Sequence, residues 1–165
     1  MAKKRDRAAV SFPADEAWRR SNTSRLLFSA AWLFDAQILA IVNRRGFPDI
    51  RMAHLHLPRN LELGGTRLTE LARRAEMSKQ AMAELVDQCE KMGLVERQPD
   101  KSDRRAKIVL FTPRGRRLIE LVREAVTIAE QNLRHQIGKE RMAHLLAGLA
   151  LYCNARQDVA RKTGD

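Results

Sequence analysis

The sequence predicts a mainly α chain of α+β type, with long helices on either side of one short β-hairpin. Three observations carry this expectation. Leu and Ala are abundant while aromatic residues make up only 5%, a balance that favours helices over stacked sheets. Apolar residues recur at helical spacing through both halves of the chain. The one stretch rich in β-formers, Ile108-Val109-Leu110-Phe111, lies a short charged segment beyond Leu94-Val95-Glu96-Arg97.

With 165 residues, 44% of them hydrophobic, the chain can bury a core without metal or disulfide staples. The net charge is +11 and the pI about 10.6, a charge balance expected of a nucleic-acid binder. The two cysteines, Cys89 and Cys153, form neither a CxxC pair nor a disulfide framework, which fits a reduced, cytoplasmic setting. Residues 1–20 read as a basic tail without the apolar core of a signal peptide. The apolar stretch Leu26 to Val42 is broken by Ser29, Asp35 and Gln37, so no membrane span is expected.

Ser24 is placed to cap a first helix running to about Asn43. Its apolar residues lie nearly all round, which predicts burial on several sides. Gly46 and Pro48 end it, a second helix follows from about Pro48 to His56, and Pro58 closes that. Leu61 to Gly65 reads as a loop and Thr66-Arg67-Leu68 as a short strand. Thr69 is placed as the cap of a helix to Ala75, and Ser78 as the cap of a longer one to Met92, ended by Gly93. The strands Leu94–Arg97 and Ile108–Phe111 then bracket the charged tip Gln98 to Lys107. Thr112-Pro113 fits the cap and first position of a long helix to Ile137. Gly138 breaks it, and a last helix runs from about Lys139 to Arg161.

The pair Thr69–Ala75 and Ser78–Met92 has the form of a helix-turn-helix, whose second helix lies in the DNA major groove. Ala81, Met82, Leu85, Val86 and Cys89 form its apolar face. Ser78, Lys79, Gln80, Ala83 and Glu84 are left to meet base edges. Gln80 suits adenine, Glu84 a cytosine amino group and Ala83 a thymine methyl. Thr69 joins this set at the start of the preceding helix. The hairpin is then a wing whose cations Lys101, Arg104, Arg105 and Lys107 crowd the tip, and an arginine there gains from a narrow minor groove. These residues are the candidate DNA-binding set.

The runs Leu68-Thr69-Glu70-Leu71-Ala72, Leu85-Val86-Asp87, Gly93-Leu94-Val95-Glu96-Arg97, Asp103-Arg104-Arg105-Ala106-Lys107 and Phe111-Thr112-Pro113-Arg114-Gly115 resemble the multiple-antibiotic-resistance-regulator (MarR) family. The resemblance implies a winged helix-turn-helix at 66–112, between helical dimerisation segments at 21–65 and 113–165. It implies a homodimer on a pseudo-palindromic operator in double-stranded DNA, acting as a transcriptional repressor. For many members it also implies release by a small aromatic acid or by thiol oxidation. Long apolar stripes on the two C-terminal helices point to a dimer independently. Two residues depart from the family pattern. Glu76 stands in the turn where glycine is usual, and Cys89 stands where leucine is usual. On the apolar face, Cys89 reads as a small hydrophobe rather than a redox sensor.

Arg51 and His54, with Phe28 and Trp32, are the candidate ligand pocket, where Arg51 would pair with a carboxylate. His54 and His56, only two positions apart, point to different helix faces and make no metal set with Cys, Asp or Glu. No nucleophile-elbow, phosphate-loop or dinucleotide motif occurs, so neither an enzyme nor a cofactor is expected. Two other readings stay open: a winged-helix DNA-binding protein without effector, of nucleoid or replication type, and a winged helix used for protein–protein contact.

Overall fold

In the computed structural model the described residues are 18, 22–100, 103 and 106–162, with side chains described through residue 154. The chain divides into two compact units at Phe34–Asp35, inside the first helix.

Helix α1 spans Thr23–Arg44. It starts one residue earlier than Ser24 because Asn22 is the capping side chain, its Oδ1 accepting from the Arg25 amide at 3.0 Å. The expected burial on several sides is confined to its C-terminal end. Only Ile38 and Val42 are buried, while Leu26, Leu27, Phe28, Trp32 and Leu33 are exposed.

By length and mean hydropathy, 1.6, α1 is sufficient to cross a membrane. Two of its polar interruptions are nonetheless matched within the protein. Asp35 accepts from Arg59, and Gln37 accepts from Asn132 at 3.3 Å.

The second helix departs from expectation. Arg51 is extended, a 3-10 turn covers Met52–Leu55, and helix α2 covers His56–Asn60. Pro58 therefore lies inside the helix instead of closing it. As the third residue it stands in the first turn, where no amide hydrogen is needed for an intrahelical bond. Asn43, oriented with its amide nitrogen toward the loop, donates to the carbonyls of Phe47 (2.9 Å) and Ile50 (3.1 Å), tying the end of α1 to this segment.

Strand β1 (Thr66–Arg67) leads directly into helix α3 (Leu68–Arg74). Arg67, in extended backbone, occupies the cap position expected of Thr69, and its side chain makes no capping bond. The cap thus falls two residues early, and Thr69 is an exposed first-turn residue. Helix α4 spans Lys79–Lys91, with Ser78 Oγ accepting from the Ala81 amide at 3.1 Å.

Strands β2 (Val95–Pro99) and β3 (Lys107–Phe111) pair antiparallel, with Val95 opposite Phe111 and Arg97 opposite Val109. β3 also takes β1 on its other edge, giving the order β1-β3-β2. Helices α5 (Pro113–Ile137) and α6 (Lys139–Lys162) follow, separated by Gly138. Thr112 caps α5, its Oγ1 accepting from the Gly115 amide at 3.1 Å.

The core gathers where α3, α4 and the sheet meet. Leu71, Met82, Val86, Cys89 and Val109 are all at most 1% exposed there. Removing that much apolar surface from water is the main favourable contribution to folding.

Candidate nucleic-acid interface

Two closely similar helix ends shape this unit. After α3, the Met77 amide reaches back to the Ala72 carbonyl (2.9 Å) and the Glu76 amide to Arg73 (3.2 Å). After α4, Leu94 reaches Cys89 (2.9 Å) and Gly93 reaches Glu90 (2.8 Å). Both are the paired closure that needs one left-handed residue just beyond the helix. Gly93 supplies it with φ +67°, and Glu76 with φ +53°. Among the described residues Glu76 is the only non-glycine with positive φ. The departure noted in the sequence is therefore a position of backbone strain.

The apolar stripe Met82, Leu85, Val86 and Cys89 is buried, as its spacing predicts. The opposite side presents Ser78, Lys79, Gln80 and Glu84 to solvent, with Ala83 half-buried beside them. Gln80 donates to Glu84 at 3.2 Å, one helical turn on. The structure thus gathers Ser78, Lys79, Gln80, Ala83 and Glu84 on one accessible face, with Thr69 exposed on α3.

In the wing, Lys107 is exposed. Lys101, Arg104 and Arg105 lie outside the described residues. Where the strands meet the tip, Arg67 donates to Asp100 at 2.7 Å, and the Asp100 amide is bonded to the Ala106 carbonyl at 2.9 Å.

Residues 61–107 match the MarR family model. This stretch, from Leu61 to Lys107, is therefore similar to the MarR family. The fold is similar to those of several solved structures. The apo form of MarR from Escherichia coli superposes with a TM-score of 0.68 at 20% identity, covering 80% of this chain and 97% of that one. The transcriptional repressor CouR, solved bound to a 23-mer DNA duplex, gives 0.64 at 22% identity, covering 86% and 99%. A probable transcriptional regulator from Pseudomonas aeruginosa gives 0.65 at 21% identity, covering 81% and 98%. No curated protein matches.

The winged helix here is laced by ion pairs of the kind that acidic and basic residues at helical spacings suggest. On α3, Glu70 accepts from Arg73 (2.6 and 2.8 Å) and Arg74 (2.7 Å). These hydrogen bonds pull the carboxyl down to about 2. Arg74 also pairs with Glu62 at 2.7 Å. The i, i+3 and i, i+4 spacings of Glu70 were the available signal. Cys89 is 1% exposed, and burial pushes its thiol up to about 12, so the reactive thiolate is suppressed.

The four candidate pocket residues have different surroundings. Phe28 and Trp32 are exposed, at 73% and 54%, and Arg51 is exposed. His54 is buried. Its Nδ1 accepts from the Arg51 amide at 3.0 Å, which leaves Nε2 to donate to Gln88 Oε1 at 3.1 Å. Both imidazole nitrogens are thereby engaged with the protein. Among the described residues no group of three or more His, Cys, Asp or Glu is placed to hold a metal.

Proposed function

We propose that the protein is a cytoplasmic transcriptional repressor that binds a pseudo-palindromic operator in double-stranded DNA as a homodimer. The observation that carries this reading is the accessible face Ser78–Glu84 on a helix buried along its other side, beside a three-stranded wing sheet. Ser78, Lys79, Gln80, Ala83 and Glu84 are the base-facing set. Thr69, Lys101, Arg104, Arg105 and Lys107 serve the phosphates and the minor groove. The net charge of +11 supports it through counterion release on DNA.

The dimer would use segments 21–65 and 113–165, leaving 66–112 for DNA. Exposed apolar side chains support this within each segment: Leu26, Phe28 and Trp32 in the first, and Leu145, Leu146, Leu149, Leu151 and Tyr152 in the second. A two-fold dimer sets its reading helices one DNA turn apart, about 34 Å. A small aromatic acid whose carboxylate pairs with Arg51 would change that spacing and release the operator.

Selection of bound sequences from a random DNA pool tests the reading. A palindrome with half-sites one turn apart is the expected result, and a specificity ratio near unity would move the assignment to a DNA-binding protein without effector. In mobility shifts Gln80→Ala should alter base preference, and Arg105→Ala should weaken binding and flatten its salt dependence. Titrating the complex with salicylate-like acids tests the effector. No release, and no effect of Arg51→Ala, would remove that part alone.

A further inference from the structure

We infer that Arg97 is the joint that fixes the wing to the DNA-reading helix, a positioning residue for DNA binding. Alternation along β2 puts Arg97 on the same side as the buried Val95. From there its guanidinium spans two turns of α4. Nη1 donates to Glu90 Oε2, and Nη2 reaches Asp87 Oδ1 at 2.7 Å and the Ala83 carbonyl at 3.3 Å. Its own backbone amide donates to the other oxygen of Glu90 at 2.8 Å. Residues 83, 87 and 90 lie on one helical stripe beside the buried face of α4. The Arg97 side chain is only 22% exposed, so these bonds are partly shielded from water.

A planar fork with charge-assisted bonds to two carboxylates and a carbonyl holds direction as well as distance. Ladder hydrogen bonds between β2 and β3 hold the hairpin to itself, but they do not set its angle to α4. Arg97 does so from one strand position. This makes helix and wing a single surface, so that both can engage the same DNA segment.

The inference rests on the DNA-binding reading, and its test separates the two. Full-length protein, Arg97→Lys and Glu90→Ala are compared by fluorescence anisotropy on a duplex taken from the selected pool, across a salt series. Lysine keeps the charge but not the fork. Glu90→Ala makes the protein more positive, so simple electrostatics predicts tighter binding. The joint predicts weaker binding for both, about tenfold, with a salt slope lower by about one phosphate contact, close to 0.9 in log–log units.

A role in stability alone would lower the active fraction and leave the slope unchanged, which would overturn the inference, as would unaltered affinity. Glu90→Ala keeps the test open if Arg97→Lys fails to fold. Absence of any salt-dependent DNA binding by the unmodified protein would sink the function reading instead. The joint is then judged by amide exchange in Val95–Pro99 and Lys107–Phe111: faster in Arg97→Lys supports it, and equal rates refute it.

Discussion

Gly115 is the third residue of α5 and is buried against the strand that follows α4. A Cβ built there would stand 1.9 Å from the Leu94 carbonyl oxygen and 3.0 Å from a ring carbon of Phe111. Carbon atoms of that kind do not approach a carbonyl so closely, so Gly115→Ala forces the start of α5 to retreat by about 1 Å. The retreat strains two bonds that anchor it: the Thr112 amide to the Leu94 carbonyl (3.1 Å) and Thr112 Oγ1 to the Gly93 carbonyl (2.6 Å). Overpacking of this kind costs about 1–3 kcal/mol, and a weakened hydrogen bond adds about 1 kcal/mol. The better helix propensity of alanine returns at most ~1 kcal/mol. The expected net loss is about 1–3 kcal/mol. At roughly 2–4 °C per kcal/mol for a chain of this size, Tm falls by about 2–12 °C. Urea unfolding and calorimetry at one fixed protein concentration measure it, because association shifts apparent stability. An unchanged or raised Tm, the outcome if propensity alone mattered, would refute the close approach.

Glu76 has φ +53°, so Glu76→Gly should stabilise by up to about 1 kcal/mol, the left-handed strain outweighing glycine's entropy in the unfolded chain. A less stable variant in urea unfolding would count against strain at that turn. Cys89, with its thiol pushed up to about 12 by burial, should react with a thiol reagent at neutral pH only as the protein unfolds; modification of Cys89 at native rates, mapped by mass spectrometry, would show the opposite. The carboxyl of Glu70 is held at about 2, below its ordinary 4.5, by Arg73 and Arg74. A depressed carboxylate gives stability that is present above 4.5 and lost as pH falls toward 2. Wild type and Glu70→Gln should therefore differ in stability at neutral pH and converge through that window, and a constant difference down to pH 2 would exclude the ion pairs as the cause.

The elements that the sequence specifies best are those whose local pattern and tertiary contacts agree. Ser78 and Thr112 cap the helices expected of them, and Gly93 closes α4. The apolar stripe of α4 and the β2–β3 pairing follow from spacing and β-propensity alone. Less legible was the segment around Pro58, where a first-turn proline ends nothing, and the start of α3, where Arg67 rather than Thr69 takes the cap position. Such boundaries turn on backbone geometry that composition does not encode.

By itself, then, the sequence determined the order of helices, the helix-turn-helix with its wing, and the accessible face of Ser78, Lys79, Gln80, Ala83 and Glu84. These depend on spacing and on turn chemistry within a few residues. Only the tertiary structure decided that Arg97 grips Ala83, Asp87 and Glu90, that both nitrogens of His54 are engaged, and that Gly115 meets Leu94. Each of these joins residues from different elements. Side-chain period shows which face a residue occupies, but the partner across that face is set only when the elements pack.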